Sequence, residues 1–385
     1  MPSPTLLQIP PLALYLHFPW CVRKCPYCDF NSYALRDSLP EDAYVEALLT
    51  DLRAQAPAVA DRPLISIFMG GGTPSLFSPA AIGRVLAATR ELFNLEANVE
   101  ITLEANPGAI EHGHFNGYAA AGVNRVSLGA QSFNHKQLQA LGRIHSPDDI
   151  HRAVQQLRAA GIANFNLDLM YGLPDQDQSD ARADLEQALA LKPSHISHYN
   201  LTIEPGTPFQ AQPPPLPRDE TVDQMLTSCA TDLAAAGFHH YEVSAHALAG
   251  HQSRHNLNYW TFGDYLGVGA GAHGKLTDQA TGRIWRTTRA REPRRYLAGA
   301  SLNTAKPVSD DKLPFEFMLN ALRLTQGINP ALFEARTGLP RTRVTPALEN
   351  LSARGLMVIE DEFWRPTYLG RRFLNELLLD FLEPP

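Results

Sequence analysis

Cysteine is scarce in this chain, four residues in 385, which excludes a disulfide-stapled scaffold. No apolar run approaches the length of a membrane-spanning helix. The first twelve residues have neither the basic start nor the apolar stretch of a secretory signal, so a cytoplasmic protein with reduced thiols is expected. Charge of one sign is not abundant either: charged residues make up 19% and the net charge is −7, which argues against a general binder of polyanions. With 44% hydrophobic residues the chain is a folded protein, long enough for one large domain and a smaller one.

Three of the four cysteines fall within eight residues, at Cys21, Cys25 and Cys28. Three thiolates can hold a cubane iron–sulfur cluster while one iron keeps no protein ligand, since full ligation takes four. That open iron is a place for another molecule to bind and react. Zinc is the alternative, with His17 or Asp29 completing a tetrahedron. A disulfide is the weaker one, because clustered thiols in the cytosol more often bind metal. Cys229 stands alone in an apolar helical stretch and reads as a buried hydrophobe.

The first two-thirds alternate short β-rich runs with longer amphipathic ones, the pattern of β/α units around a parallel sheet. Strands are expected at 12–18, 65–69, 99–103, 125–129, 164–170, 195–202 and 241–245. Helices are expected between them, among others at 40–53, 79–93 and 180–191. Six or seven units are too few for a closed eight-unit barrel, so the fold class is α/β, a partial (β/α)6 TIM-like barrel. Cys21, the run Gly70-Gly71-Gly72-Thr73, Glu104, Gln131 and Asp168 each lie at or just beyond a strand's C-terminal end, the edge where such folds build active sites. A proline-rich stretch, 205–217, reads as a loop over the barrel mouth. Beyond residue 310, helical patterns at 315–324, 329–337, 341–354 and 369–381 surround a small hairpin, giving a winged-helix-like C-terminal domain. The expected division is a barrel over 1–245, a connecting segment over 246–310 and the small domain over 311–385. Basic residues there are offset by acidic ones, so a compact cap is expected rather than a nucleic-acid reader.

Cys-x3-Cys-x2-Cys with Tyr27 before the third cysteine resembles the signature of the radical S-adenosylmethionine (SAM) superfamily, and Gly70-Gly71-Gly72-Thr73-Pro74 resembles its glycine-rich strand end. The runs 15–20, 103–107, 129–133 and 168–174 resemble the oxygen-independent coproporphyrinogen dehydrogenase group over nearly the whole chain. The resemblance implies a [4Fe–4S] cluster on Cys21, Cys25 and Cys28. It also implies SAM held by Tyr15, Tyr27, Gly71, Gly72, Thr73, Glu104, Gln131, Arg143 and Asp168, with carboxylates for ribose hydroxyls and Arg143 for a carboxylate. In the oxidase some of these serve a second SAM. Cys28-Asp29-Phe30 lacks the further cysteine of the oxidase, and the first strand begins near residue 12. Both features resemble the HemW group of haem chaperones instead.

His255-Asn256-Leu257-Asn258-Tyr259-Trp260 resembles that group's haem-binding motif. An imidazole can ligate haem iron, and Tyr259 and Trp260 offer flat apolar surface. His246, His251 and His273 are neighbouring candidates. Between 283 and 296 six arginines accompany two aromatics, a tract suited to carboxylates, to RNA phosphates or to a solvated helix face. The resemblance implies a haem chaperone with cluster, SAM and haem as ligands and haem-acceptor proteins, respiratory ones among them, as partners. Peripheral membrane contact stays open, and no nucleic-acid partner is expected. Two other functions stand beside it: oxidative decarboxylation of coproporphyrinogen III, and RNA modification by a radical SAM protein. Whether the chain is an enzyme at all is left open by the retained SAM residues.

Overall fold

A computed structural model describes residues 7–108, 114–299 and 302–382. Six parallel strands follow one another along the sheet: β1 (Leu12–Phe18), β2 (Leu64–Gly71), β3 (Leu95–Ala105), β4 (Arg125–Gln131), β5 (Phe165–Tyr171) and β6 (His195–Asn200). Helices α1 (Glu41–Gln55), α2 (Pro79–Leu92), α3 (Phe115–Ala121), α4 (Pro147–Ala159) and α5 (Gln178–Ala190) cross between them. Their starts are marked in the sequence. Ser78 caps α2, and Ser146 and Asp177 form capping boxes with Asp149 and Asp180, each satisfying otherwise orphaned N–H groups. The covered strands β1, β4 and β5 are buried along nearly their whole length, as expected where helices pack over a parallel sheet.

Both ends of the sheet run on beyond the six. After helix α6 (Asp219–Ala235), β7 (His239–Glu242) and β8 (Ala245–Ala247) add antiparallel strands next to β6. The expected strand at 241–245 is thus two short strands with a turn between them. Helix α7 (Arg254–Trp260) precedes β9 (Asp264–Val268), which pairs parallel with β1 on its far side, Leu12 opposite Asp264. β10 (His273–Asp278), β11 (Arg283–Arg289) and β12 (Leu302–Pro307) continue antiparallel outward. Residues 246–310, expected to connect two domains, therefore supply four strands of the twelve-stranded sheet. The reason is the long-range pairing of β9 with β1, which local periodicity does not register. The architecture is the α/β open barrel with a C-terminal domain.

A buried Asp264 fixes β9 in place. Its carboxylate accepts from Lys275 Nζ (2.9 Å), Arg62 Nη2 (2.9 Å) and Thr277 N and Oγ1 (2.9 Å each). A second buried knot joins α1 to β11 and the following helix through Asp51, Arg289 and the Tyr296 hydroxyl. The C-terminal unit consists of α8 (Leu313–Ala321), α9 (Ala331–Thr337) and α10 (Thr345–Ala353), the hairpin β13 (Met357–Ile359) and β14 (Trp364–Pro366), and then α11 (Leu374–Leu379) after a short turn of helix. Three helices followed by a hairpin is the order of a winged helix. Its core, built on Phe317, Phe333, Leu348 and Trp364, also takes in Phe262 from the turn before β9 and Ile284 from β11. No helix among the described residues is long and apolar enough to cross a membrane.

Candidate active site at the C-terminal rim

The barrel interior is polar, and that follows from the period of two along each strand. Ser66 and Phe68 of β2, Glu100, Thr102 and Glu104 of β3, Arg125, Ser127 and Gly129 of β4, Asn166 and Asp168 of β5, and His195 and Ser197 of β6 share the inner set of positions. Hydrogen bonds cross the strands between them. Asn166 Nδ2 donates to Asp168 (2.7 Å) and to Ser127 Oγ (2.8 Å), and Asn166 Oδ1 faces His195 Nδ1 (2.6 Å). At the N-terminal end of the strands α7 closes the interior. The N–H groups of Arg254 and His255 donate to the Glu100 carboxylate, 3.1 Å each.

At the opposite, C-terminal end lies a cavity of about 460 Å³, within the range of small-molecule sites. Cys21, Cys25 and Cys28 line it, and all three are free thiols. The loop that carries them is anchored by aromatics: Phe18 packs on Phe77 and Trp20 on Tyr44, both with centroids 4.8 Å apart. Tyr27 leans on Phe209, from the proline-rich stretch 205–217, at 6.4 Å, and Phe209 N donates to Pro26 O. That stretch thus lies against the cysteine loop, though none of its residues lines the cavity.

The other expected SAM residues gather here with one exception. Gly71, Gly72, Thr73, Glu104, Gln131, Arg143 and Asp168 all line the cysteine cavity, as does Tyr27. Arg143 donates Nη1 to Cys25 Sγ (3.6 Å) and Nη2 to Gly129 O (2.9 Å) and to Asn106 Oδ1, while its Nε is buried without a partner. Asn106 in turn donates to Thr73 Oγ1 (2.9 Å), so one amide ties the glycine-rich turn to the arginine. Gln131 sits at a positive φ of 67° and accepts from the Tyr199 hydroxyl (2.6 Å). Burial and, second, the Asp168 carboxylate push Glu104 up to about 7, against the pull of the Gly71 N–H at 3.1 Å. Burial likewise raises Asp168, although Asn166, Ser197 and Ser127 hydrogen-bond its charged form. Burial raises the Cys21 thiol, with Thr73 opposing.

The glycines do more than leave room for a ligand. A Cβ on Gly71, at φ 117°, would lie 2.5 Å from the His17 ring, and one on Gly72 would lie 2.5 Å from Trp20 O. Tyr15 is the exception among the expected residues. It lines a neighbouring cavity of about 320 Å³ that shares Phe30, Gly71 and Glu104 with the first. Asn106 and Tyr199 were not assigned from the sequence. Both follow inner strand positions at the C-terminal rim, which is the signal that could have found them.

Among the described residues, no three His, Cys, Asp or Glu side chains converge as ligands of a single metal ion. His17, the candidate fourth zinc ligand, has both ring nitrogens in use, Nδ1 with Tyr15 Oη and Nε2 with Asn31 O, each at 2.9 Å. A cubane cluster holds each thiolate on a separate iron, so cysteines spread around one cavity wall suit it better than a mononuclear site. Three free thiols, a guanidinium on one of them and a glycine-lined wall are a donor set that fits.

The expected haem residues lie elsewhere. His255 is 3% exposed and lines neither cavity; its Nδ1 is 3.0 Å from Ser66 Oγ and its ring stacks on Phe68 at 4.8 Å. Burial, with Arg125 adding, holds this imidazole down to about 3. Trp260 packs against the C-terminal core under the Arg323 guanidinium, 4.3 Å from its ring centroid. Only Tyr259 reaches a cavity, the second one.

Comparison with known proteins identifies the family and the fold. The Radical SAM superfamily model matches residues 15–188, and that of the HemN C-terminal domain matches 308–373. A protein of Escherichia coli (strain K12) named heme chaperone HemW is 47% identical over 377 residues, covering 98% of this chain and 100% of that one. Radical S-adenosyl methionine domain-containing protein 1, mitochondrial, of Mus musculus is 36% identical, covering 96% of this chain and 87% of that one. Among solved structures, coproporphyrinogen III oxidase (HemN) from Escherichia coli superposes with a TM-score of 0.81 over 97% of this chain and 90% of that one, at 24% identity, a likeness of fold. With its three cysteines on the barrel rim and a near-complete alignment to these relatives, the chain belongs to the radical SAM superfamily and, within it, to the HemW group.

Proposed function

We propose that this protein is a cytoplasmic haem chaperone: it holds a [4Fe–4S] cluster on Cys21, Cys25 and Cys28, SAM beside the cluster, and haem, which it passes to acceptor proteins, respiratory ones among them. The observation that carries this reading is the near-full-length 47% identity to a protein named heme chaperone, on a chain whose cysteines and SAM-type residues line one cavity. When bound, a reduced cluster supplies one electron to the sulfonium of SAM. The chain's own residues do the rest. Arg143 directs an N–H at Cys25 Sγ, and hydrogen bonds to cluster sulfurs tune the potential. Asn106 orients that guanidinium and Thr73 together. Glu104 and Asp168 offer acceptors to ribose hydroxyls. The segment 255–260 contributes to haem binding through Tyr259, with His255 packed beneath it, ring centroids 5.0 Å apart.

The test is a haem titration of anaerobically reconstituted protein, run beside an assay with coproporphyrinogen III, SAM and reductant. A Soret band, transfer of haem to an apo-acceptor and no protoporphyrinogen are expected. Lower haem affinity is expected in His255→Ala. Protoporphyrinogen formed by a protein that binds no haem would replace the chaperone reading with the decarboxylase one.

A further inference from the structure

The cavity that Tyr15 and Tyr259 line is not explained by the cysteines. It is bounded on one side by β1 and on the other by α7, β9 and the turn leading into β10. Tyr259 and Tyr265 stack on each other there at 4.1 Å and 24°, and both line the cavity. Two imidazoles face it, His17 and His273. His17 is spent on Tyr15 and Asn31, whereas His273 stands exposed at the open side. Two arginines of the tract at 283–296 stand close by. Arg286 Nη1 donates to the Tyr265 hydroxyl (2.6 Å), and exposed Arg291 donates Nε to Asn31 Oδ1 (3.1 Å), Asn31 being part of the cavity wall.

We propose that this second cavity receives the haem edge-on, with Tyr259 and Tyr265 against the macrocycle, His273 as the donor to iron, and Arg291 facing a propionate. The inference rests on the haem reading above and adds to it the site and the ligand. An aromatic pair, an exposed imidazole and a rim guanidinium are three chemistries that suit a carboxylated iron macrocycle. His255 then acts as a positioning residue. It lies beneath Tyr259 and Tyr15, 5.0 and 6.3 Å between centroids, and holds the aromatic wall without touching iron. The arginine tract acquires a role that neither RNA nor a solvated helix gives it.

The experiment is a titration of the full, cluster-reconstituted chain with haem, read by Soret position and by electron paramagnetic resonance. His273→Gly is expected to lose the imidazole-ligated signature and to bind about ten- to a hundredfold more weakly, the scale found even for the supporting partners of metal ligands. Added imidazole should restore the signature, which separates a lost ligand from a misfolded chain. His255→Ala should keep the iron–imidazole signature while binding less tightly. Haem dimethyl ester should bind the wild type more weakly than haem, and Arg291→Gln should abolish that preference. An unaltered spectrum in His273→Gly, from a wild type that binds haem, would overturn the site alone. A wild type with no Soret response would overturn the haem reading and the site with it.

Discussion

Glu104 is shared by both cavities, and its protonation is open to a direct test. Burial first, and the Asp168 carboxylate second, raise it from 4.5 to about 7. The folded chain therefore keeps a proton on this group at pH values where the unfolded chain has released it. Its contribution to stability is present in full below pH 4.5 and is lost as the pH rises through about 7. A difference of about 2.5 units corresponds to at most about 3 kcal/mol, and Asp168 shares the titration with it. Glu104→Gln fixes the neutral form and leaves an amide oxygen to accept the Gly71 N–H. Urea unfolding of both proteins at pH 5 and pH 8 measures the effect. The wild type should lose about 2–3 kcal/mol more than the variant between the two values. A second readout follows from charge alone. A cationic sulfonium favours the ionised carboxylate, so SAM affinity by calorimetry should rise from pH 6 to pH 8 in the wild type and stay flat in the variant. The same pH dependence of stability in both proteins would refute the assignment of a raised carboxyl to Glu104.

Two further substitutions probe the frame of the site. Gly71→Ala places a Cβ 2.5 Å from the His17 ring on a backbone at φ 117°, so a loss of about 1–3 kcal/mol is expected, together with a lower melting temperature; an unchanged melting curve would contradict it. Asp264→Asn leaves Lys275, 1% exposed, beside a neutral amide, and breaking a buried pair from one side costs about 3–5 kcal/mol. Lys275→Met in that background should recover part of the loss in chemical denaturation.

The rim of the barrel was legible because its chemistry is written in short runs. Cys21, Cys25 and Cys28 lie in one loop, Gly71, Glu104 and Gln131 lie at the ends of strands whose β pattern is local, and Asp168 sits midway along another. Once a parallel sheet is granted, the period of two and the shared C-terminal edge bring them together without knowledge of any contact. Tyr15 shows where that logic stops. It lies on the right strand and faces the interior, yet it borders a different cavity, because β9 pairs with β1 across some 250 residues of chain and brings Tyr265 and His273 to its side. The pairing leaves no periodic trace in either strand.

The haem-motif segment is the harder case, and the reason is electrostatic. His255 to Trp260 suits a loop, a helix or a ligand site by composition alone, and a helix of seven residues is marginal by itself. What fixes it is Glu100, an inner carboxylate on β3 that accepts the first two N–H groups of the helix and thereby meets its positive end. Arg125 stands 4.0 Å from the same carboxylate. With its two helix N–H donors, the Glu100 side chain ties α7 to the inside of the barrel. His255 is buried for that reason and not for any property of its own. An imidazole placed on a helix that Glu100 ties inward supports Tyr259 from below, which is why the haem site proposed above looks for its iron ligand among the histidines on the open side of the sheet.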